Sequence, residues 1–342
     1  MPNTQGQKGF QSVTSLVSFL SPNSLIYFNT INILNILKII NEMLPIIYHE
    51  KYDIPVPKAH SFVGSKFSDL FKNLQKQYSQ NLEIFTPSFA PLENLKLSHD
   101  VDYINKVSKD ALTREYLRLI NLPWSNRLRE RSFLEAEGSY LTAKTSLQTG
   151  LACHVGGGTH HAHYDHGFGF CVFNDLAYTA INLIKEKLVK KVLILDLDVH
   201  QGDGTIDICK NYSTIYTCSI HSESNFPYEK KQGWMDISLP SGLEDKEYLI
   251  ILENTLEKIQ QHVNPNIVLY DAGVDVFEED KLGNLKISLE GIRNRDKLVL
   301  EHYRKQRIPV ATVIGGGYSK NHEELAKRHS IIFDTAIKNI AN

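Results

Sequence analysis

The sequence predicts an α/β fold in which a mostly parallel β-sheet is covered by helices on both faces. From Leu44 onward, strand-like and helix-like segments alternate along the chain, which is the pattern of such a sheet. Most of the apolar runs end in aspartate, histidine or glycine, and the clearest runs are 192–198, 213–220, 267–273 and 309–317. Because ligands bind at the carboxyl ends of strands in open α/β sheets, we expect these polar residues to meet at one site.

The helices and the domain organisation follow from the same pattern. Amphipathic spacing predicts helices over 176–188, with Asn174 or Asp175 as the N-cap, and over 245–262. The chain has no internal repeat and no linker rich in proline or glycine, so one domain is expected over 44–342. Residues 1–43 differ in composition and are predicted to form an extension that is helical in part. Its apolar stretch, 25–40, is shorter than the ~20 residues that a membrane span requires.

Composition argues against several classes of protein. With 42% hydrophobic and 22% charged residues, the chain has the balance of a globular protein with a substantial core. A net charge of −2 gives no concentrated basic surface, so direct nucleic-acid binding is not expected. The four cysteines stand singly, which favours reduced thiols and a cytoplasmic location, or a nuclear one in a eukaryote or a host cell.

The segment LDLDVHQGDG (195–204) predicts a metal site. On an extended strand Asp196, Asp198 and His200 would share one face, which is costly at a buried strand end unless a cation compensates. A later aspartate, Asp271 or Asp275, would complete three protein ligands, and catalytic zinc leaves its fourth position to water. Spacing does not choose between these two aspartates. The alternative interpretation is a carboxylate that caps the following helix.

The segment GGGTHHAHYDHGFGF (156–170) predicts acid–base chemistry. The adjacent His160 and His161 can face one cavity only from an irregular loop, which the glycines permit. Next to a metal-activated water they would serve as general base and general acid, with Asp196 and Asp203 available to orient them. The alternative is a histidine-rich surface tract, and we favour a structural role for His163 and His166.

The segment IGGGYSK places Tyr318 directly after a glycine turn. Its phenol could donate a hydrogen bond to a substrate carbonyl and to the oxyanion formed from it. A glycine turn followed by tyrosine is common, so this segment has meaning only together with the others.

In this order along the chain, the four segments resemble the zinc-dependent histone deacetylase family. The stretches LPIIYHEKYDIP (44–55) and DAGVDVFEEDKLG (271–283) are most similar to its class IV branch and bacterial relatives, and the resemblance covers about residues 44–340. It implies a single-domain arginase/deacetylase-like fold. It also implies a catalytic Zn²⁺ and a structural K⁺, the latter beside the backbone of 196–200 and Ser219.

The resemblance assigns roles to individual residues. Zinc would be bound by Asp198, His200 and Asp275. The catalytic group would comprise His160 paired with Asp196, His161 paired with Asp203, and Tyr318 on the scissile carbonyl. The walls of a narrow acyl-lysine tunnel would be Gly169, Phe170 and Phe226, or these residues are only core packing.

The implied activity is hydrolysis of the amide bond of an acylated lysine in a protein or peptide. An acetylpolyamine or another small acylated amine is the alternative substrate. An arginase-type enzyme would need more aspartates for two manganese ions, and an inactive binding module would be expected to lack one of the site residues, all of which are present. The oligomeric state stays open.

Two features of the sequence leave the substrate undetermined. The paired histidines follow GGGT rather than a loop rich in proline and arginine, and no residue clearly matches the rim aspartate that grips a peptide backbone in class I enzymes. The glycine-rich stretch 156–169 would leave room for a long acyl chain beyond the metal. If Tyr140 or His154 closes the pocket instead, only acetyl would fit.

Overall fold

The computed structural model describes residues 43–340, which contain an eight-stranded sheet flanked by helices. In chain order the strands are β1 (Leu44–Ile47), β2 (Leu82–Phe85), β3 (Leu151–His154), β4 (Val192–Asp196), β5 (Ile215–Ser222), β6 (Met235–Leu239), β7 (Ile267–Asp271) and β8 (Val310–Val313). Their order across the sheet is β2-β1-β3-β8-β7-β4-β5-β6, and every neighbouring pair is parallel. The predicted α/β fold is confirmed. The predicted extension lies outside the described residues, except for Met43.

Helices connect and cover the strands. They are α1 (Lys66–Tyr78), α2 (Leu92–Leu95), α3 (Val101–Ser108), α4 (Arg114–Ile120), α5 (Asn126–Thr149), α6 (Asp175–Lys185), α7 (Asp203–Cys209), α8 (Asp245–His262), α9 (Leu289–Lys305) and α10 (His322–Ile340). Every residue of β3, β4, β7 and β8 is buried, as expected for central strands of a parallel sheet. Over 43–340, no helix combines the length and the hydropathy needed to cross a bilayer.

Two helices occur where the amphipathic spacing predicts them. The α6 helix begins at Asp175 with Asn174 as its N-cap, whose side chain accepts a hydrogen bond of 2.9 Å from the amide of Ala177. The α8 helix spans the predicted residues 245–262. The α6 helix ends at Lys185, three residues before its predicted end at position 188.

The β4 strand is shorter than predicted, and this changes how the metal-site residues are presented. It ends at Asp196, so Asp198 and His200 lie in the turn that follows rather than on one face of an extended strand. The argument from strand parity is therefore wrong for these two residues. In register, Asp196 lies opposite Asp271 on β7 and Ser219 on β5, and the turns after these strands meet at one edge of the sheet.

A buried arginine fixes the turns that leave β4 and β7. Arg295 of α9 is fully buried and forms an ion pair with Asp296 at 2.9 Å. Its guanidinium donates to three backbone carbonyls that follow these strands, those of Gly273 (2.6 Å), Ala272 (3.2 Å) and Leu197 (3.3 Å). These turns carry the predicted metal ligands, so the hydrogen bonds from Arg295 to their backbone help to fix the position of the site.

Candidate active site

Three side chains form a compact set of potential metal ligands at the carboxyl end of the sheet. Asp198, His200 and Asp275 are buried, and their ligand atoms all lie within 4.8 Å of one another. Nδ1 of His200 is 3.0 Å from Oδ1 of Asp198 and 3.1 Å from Oδ2 of Asp275. Two carboxylates and one imidazole are the mixed oxygen and nitrogen donors that catalytic zinc uses, so the residues present fit this metal.

Backbone groups hold the two carboxylates in place. Asp198 accepts hydrogen bonds from the amides of His200 (2.9 Å) and Gly316 (2.6 Å), and Asp275 accepts one from the amide of Val199 (2.9 Å). A Cβ atom at Gly316 would lie only 2.0 Å from Oδ2 of Asp275. Glycine is therefore required at this position by the close approach of the backbone to the ligands.

The paired histidines extend into the same cavity from an irregular loop, as predicted. Their ring centroids are 4.1 Å apart, and each Nδ1 donates to its own aspartate: His160 to Asp196 at 2.8 Å and His161 to Asp203 at 2.6 Å. Each Nε2 is thereby left free to act as the acceptor or donor toward the cavity. A fifth residue, His163, donates to the other oxygen of Asp203 at 3.1 Å and so supports the second pair.

The two histidines differ in charge. Burial lowers the pKa of His160, but Asp196 and Asp198 together raise it well above the ordinary value, so this ring is protonated near neutral pH. Burial and the adjacent charge of His160 lower the pKa of His161 to about 4, despite Asp203. His161 is therefore a neutral imidazole that can accept a proton, whereas His160 contributes positive charge.

The first turn of α6 anchors the loop that carries the histidines. The buried carboxylate of Asp175 accepts hydrogen bonds from the amide of Thr159 (2.7 Å), its hydroxyl (2.6 Å) and the amide of Gly158 (3.1 Å). The side chain of Asn174 donates to the carbonyls of His160 (3.1 Å) and Ala162 (3.0 Å). The sequence predicts both residues only as helix caps. Their partners in the loop lie more than ten positions away, so no local pattern indicates these contacts.

Tyr318 reaches the cavity from the turn after β8. Its ring lies 6.4 Å from that of His200. Burial and the nearby Asp275 raise the pKa of this phenol well above 10, so it is a neutral hydrogen-bond donor. The turn is held by Asp280, which accepts from the amide of Tyr318 at 2.8 Å and from the guanidinium of Arg328 at 2.9 Å.

The predicted tunnel residues lie together, although only two of them line the cavity. Gly169 and Phe170 form part of its wall, and the ring of Phe226 lies 4.9 Å from that of His161. Gly169 has a φ of +50°, and a Cβ atom there would come within 2.9 Å of the His161 ring. Phe168, which the sequence analysis does not single out, packs against Phe226 with the ring centroids 4.8 Å apart and the planes tilted by 42°.

The inner end of the cavity is closed by charged residues. Its lining includes Lys66 and Arg131, both buried, and its volume is about 30 Å³. Lys66 donates to the carbonyl of Gly315 at 2.9 Å, while Arg131 pairs with Glu135 at 2.8 Å. Tyr140 and His154, which would close the pocket in the alternative interpretation of the sequence, are not part of this lining.

Asp271, the other aspartate that spacing left open, lies on the far side of His160 from the three ligands. It is fully buried, and neither carboxylate oxygen has a hydrogen-bond partner among the described residues. Its Oδ2 is 4.0 Å from Nδ1 of His160, and it forms a second acidic group with His160 and Asp196. Burial and the charges of Asp196 and Asp198 raise the pKa of Asp271 well above its ordinary value.

Comparison with known proteins identifies the family. The model of the histone deacetylase domain matches residues 60–333, a range that contains all the site residues named above. The chain belongs to the histone deacetylase family. Histone deacetylase 2 of Arabidopsis thaliana is 30% identical over 289 residues, which cover 81% of this chain and 75% of the plant protein.

Another relative of this histone deacetylase family member is bacterial. An uncharacterized protein of Picosynechococcus is 41% identical over 293 residues, which are 85% of this chain and 98% of that protein. Among solved structures, a histone deacetylase homologue complexed with SAHA superimposes with a TM-score of 0.73 at 24% identity, covering 86% of this chain and 84% of the other. The fold is thus of the arginase/deacetylase type, as the sequence resemblance implied.

Proposed function

We propose that this family member is a zinc-dependent deacylase that hydrolyses the amide bond of an acylated lysine side chain. The observation that carries the proposal is the arrangement around one cavity of a two-carboxylate, one-histidine ligand set, a neutral histidine oriented by an aspartate, and a neutral tyrosine. This is the combination that metal-assisted amide hydrolysis requires.

The ligand set would be Asp198, His200 and Asp275. When bound there, zinc would lower the pKa of a water molecule and polarise the substrate carbonyl. The second acidic group, which consists of His160, Asp196 and Asp271, is the poorer candidate for this metal. The one imidazole in that group, His160, already donates a hydrogen bond to Asp196.

The protein groups would then move the proton and stabilise the charge. The neutral Nε2 of His161 accepts a proton from the attacking water, while Asp203 keeps the ring in the required tautomer. The hydroxyl group of Tyr318 donates a hydrogen bond to the carbonyl oxygen as negative charge develops there. His161 next returns the proton to the leaving amine, and the positive charge of His160 offsets the negative charge that builds up in the cavity.

The size and charge of the cavity favour a short acyl group. A volume of about 30 Å³ holds about one or two water molecules, and two buried cations lie at its inner end. An alkyl chain beyond a few carbons would have to displace packed side chains or desolvate Lys66 and Arg131. We therefore favour acetyl over the long-chain alternative, and expect kcat/KM to fall from acetyl- to octanoyl- to myristoyl-lysine peptides.

A substrate panel tests the proposal. The purified protein is assayed on an acetyl-lysine peptide, an acetylpolyamine and arginine, as prepared, after treatment with a zinc chelator, and after zinc is restored. We expect zinc-dependent release of acetate from the peptide. Preference for the acetylpolyamine would transfer the proposal to small acylated amines, urea release from arginine would replace it, and full activity in the chelated, metal-free protein would refute it.

Two accompanying proposals concern surroundings of the site. Asp196 and Ser219 are buried register partners on adjacent strands, which supports a structural K⁺ at this edge; a melting temperature that is equal in potassium and choline chloride would contradict it. All four cysteines are buried and unpaired, which supports action in a reducing compartment such as the cytoplasm. A reporter fusion recovered only outside the cytoplasm or nucleus would contradict that location.

A further inference from the structure

A charged groove lies beside the mouth of the active-site tunnel. It has a volume of about 430 Å³ and is lined on its polar side by His60, Arg114, Arg118 and Asn121. Three of these residues belong to α4 and the position that follows it.

The groove is joined directly to the tunnel wall. The backbone carbonyls of Leu119 and Ile120 accept hydrogen bonds from the amides of Gly169 (3.1 Å) and Phe170 (2.8 Å). On the other side, the ring of His60 lies 5.5 Å from that of Phe170. Atoms of a substrate that protrude from the tunnel past Phe170 therefore emerge next to this groove.

The positive charge of the groove has no ion-pair partner among the described residues. Arg114 and Arg118 are exposed, and neither forms an ion pair or side-chain hydrogen bond in the region 43–340. They are four residues apart on one face of α4, where like charges oppose helix formation, so their pairing is not explained by the stability of the helix. No carboxylate is among the residues that line the groove.

We infer that Arg114 and Arg118 select substrates in which a carboxylate lies at the tunnel mouth when the acylated amine occupies the tunnel. The inference rests on the proposed deacylase function and names its substrate class. The planar guanidinium groups can pair with a carboxylate through two parallel hydrogen bonds, which a neutral amide cannot match. A polyamine, which presents a second cation at the tunnel mouth, meets repulsion at the same place.

Matched substrates test the inference. Acetyl-lysine peptides with Asp or Asn at the positions flanking the acylated lysine are compared, together with free Nε-acetyl-lysine and its carboxamide. Because exposed ion pairs are weak and are screened by salt, kcat/KM should be about 2–10-fold higher for the acidic member of a pair, and the ratio should shrink at high salt. If kcat/KM is higher for the Asp-flanked than for the Asn-flanked peptide, the arginines recognise a side-chain carboxylate. If only free Nε-acetyl-lysine is preferred over its carboxamide, they recognise the α-carboxylate.

A double variant provides the control. R114Q/R118Q should bring both ratios to about one while turnover of the Asn-flanked peptide is retained. K305Q/R307Q removes two exposed positive charges at the end of α9 and in the turn before the amino end of β8, and should leave the ratios unchanged. Equal kcat/KM for acidic and neutral substrates in the wild type, or ratios that persist in R114Q/R118Q, would overturn the inference alone. Absence of turnover on every substrate would overturn the proposed function, and this inference with it.

Discussion

At the scale of single residues, the site is defined by differences between chemically identical side chains. His160 and His161 are neighbours in one loop, yet two aspartates raise the pKa of the first and burial lowers that of the second. Asp271 ends β7 and Asp275 lies four residues later, yet only Asp275 comes within 3.1 Å of His200. Residue type alone would not separate the members of either pair.

The roles of His161 and Tyr318 lead to a prediction about turnover. His161→Ala and Tyr318→Phe should each lower kcat by at least ~10²-fold, because one removes the proton acceptor and the other an oxyanion donor. Steady-state kinetics on the acetyl-lysine peptide measures the effect. His262→Ala and Tyr228→Phe, at exposed positions, are matched controls and should behave as the wild type. Near-normal kcat in a folded site variant would show that its assigned role is wrong.

Asp271 and Asp275 give a prediction about metal content. Asp275→Asn should lose most of its zinc, because one of three protein ligands is then a weaker, neutral donor. Asp271→Asn should retain one zinc per chain, since Asp271 lies beside His160 rather than among the ligands. Elemental analysis of the purified variants decides between them. Zinc lost from Asp271→Asn but retained in Asp275→Asn would reverse the assignment.

At the scale of elements, the loop that carries His160 and His161 has no regular structure of its own and depends on α6. Asp175 and Asn174 occupy the start of this helix, and together they satisfy amides and carbonyls of the loop from Gly158 to Ala162. An irregular buried segment needs such partners, because unsatisfied backbone groups are costly away from water. The sequence predicts only a helix cap at these positions, and in the structure both residues also form hydrogen bonds with the loop.

This dependence predicts a combined effect on stability and catalysis. Asp175→Asn should lower the free energy of unfolding by about 1–3 kcal/mol, because charged hydrogen bonds to the loop are weakened. It should also lower kcat about 10–10²-fold through displacement of the paired histidines. Denaturant unfolding and kinetics measure the two effects. Asp102→Asn, in the first turn of α3, is the control, and a stable Asp175→Asn with unchanged kcat would contradict the anchoring role.

At the scale of the whole molecule, neutral histidines connect segments that are far apart in sequence. His99 is fully buried; its Nδ1 lies 3.0 Å from the carbonyl of His163, and its Nε2 accepts from the amide of Asn174 at 2.9 Å. It thus joins the chain before α3 to the histidine loop and to the start of α6. Burial lowers the pKa of His99 to about 4, so the folded protein holds it neutral.

The lowered pKa predicts how stability changes with pH. The unfolded chain binds a proton at His99 near pH 6.5 and the folded chain only near pH 4, so its contribution is full above pH 6.5 and is lost as the pH falls toward 4. The advantage of the wild type over His99→Gln in free energy of unfolding should shrink by about 3 kcal/mol between pH 7 and pH 4. Urea titrations over this range measure the difference. A constant or growing advantage would mean that His99 is protonated in the folded state.

The sequence by itself determined the α/β fold, the positions of most central strands and the segments that meet at the candidate site. It could do so because apolar runs that end in polar residues are local features, and a parallel sheet brings their carboxyl ends to one edge. The pairing of His160 with Asp196 and of His161 with Asp203 was implied by family resemblance, and the structure contains both contacts.

Only the tertiary structure decided the features that depend on packing between distant segments. The closure of the cavity by Lys66 and Arg131, the clamp of Arg295 on the turns after β4 and β7, and the anchoring of the loop by Asp175 each join residues between 16 and 249 positions apart. The shortened β4 likewise follows from hydrogen bonds made by the turn after it. Such contacts leave no periodic pattern in the sequence, because the side chains that meet are set by the paths of whole helices and strands.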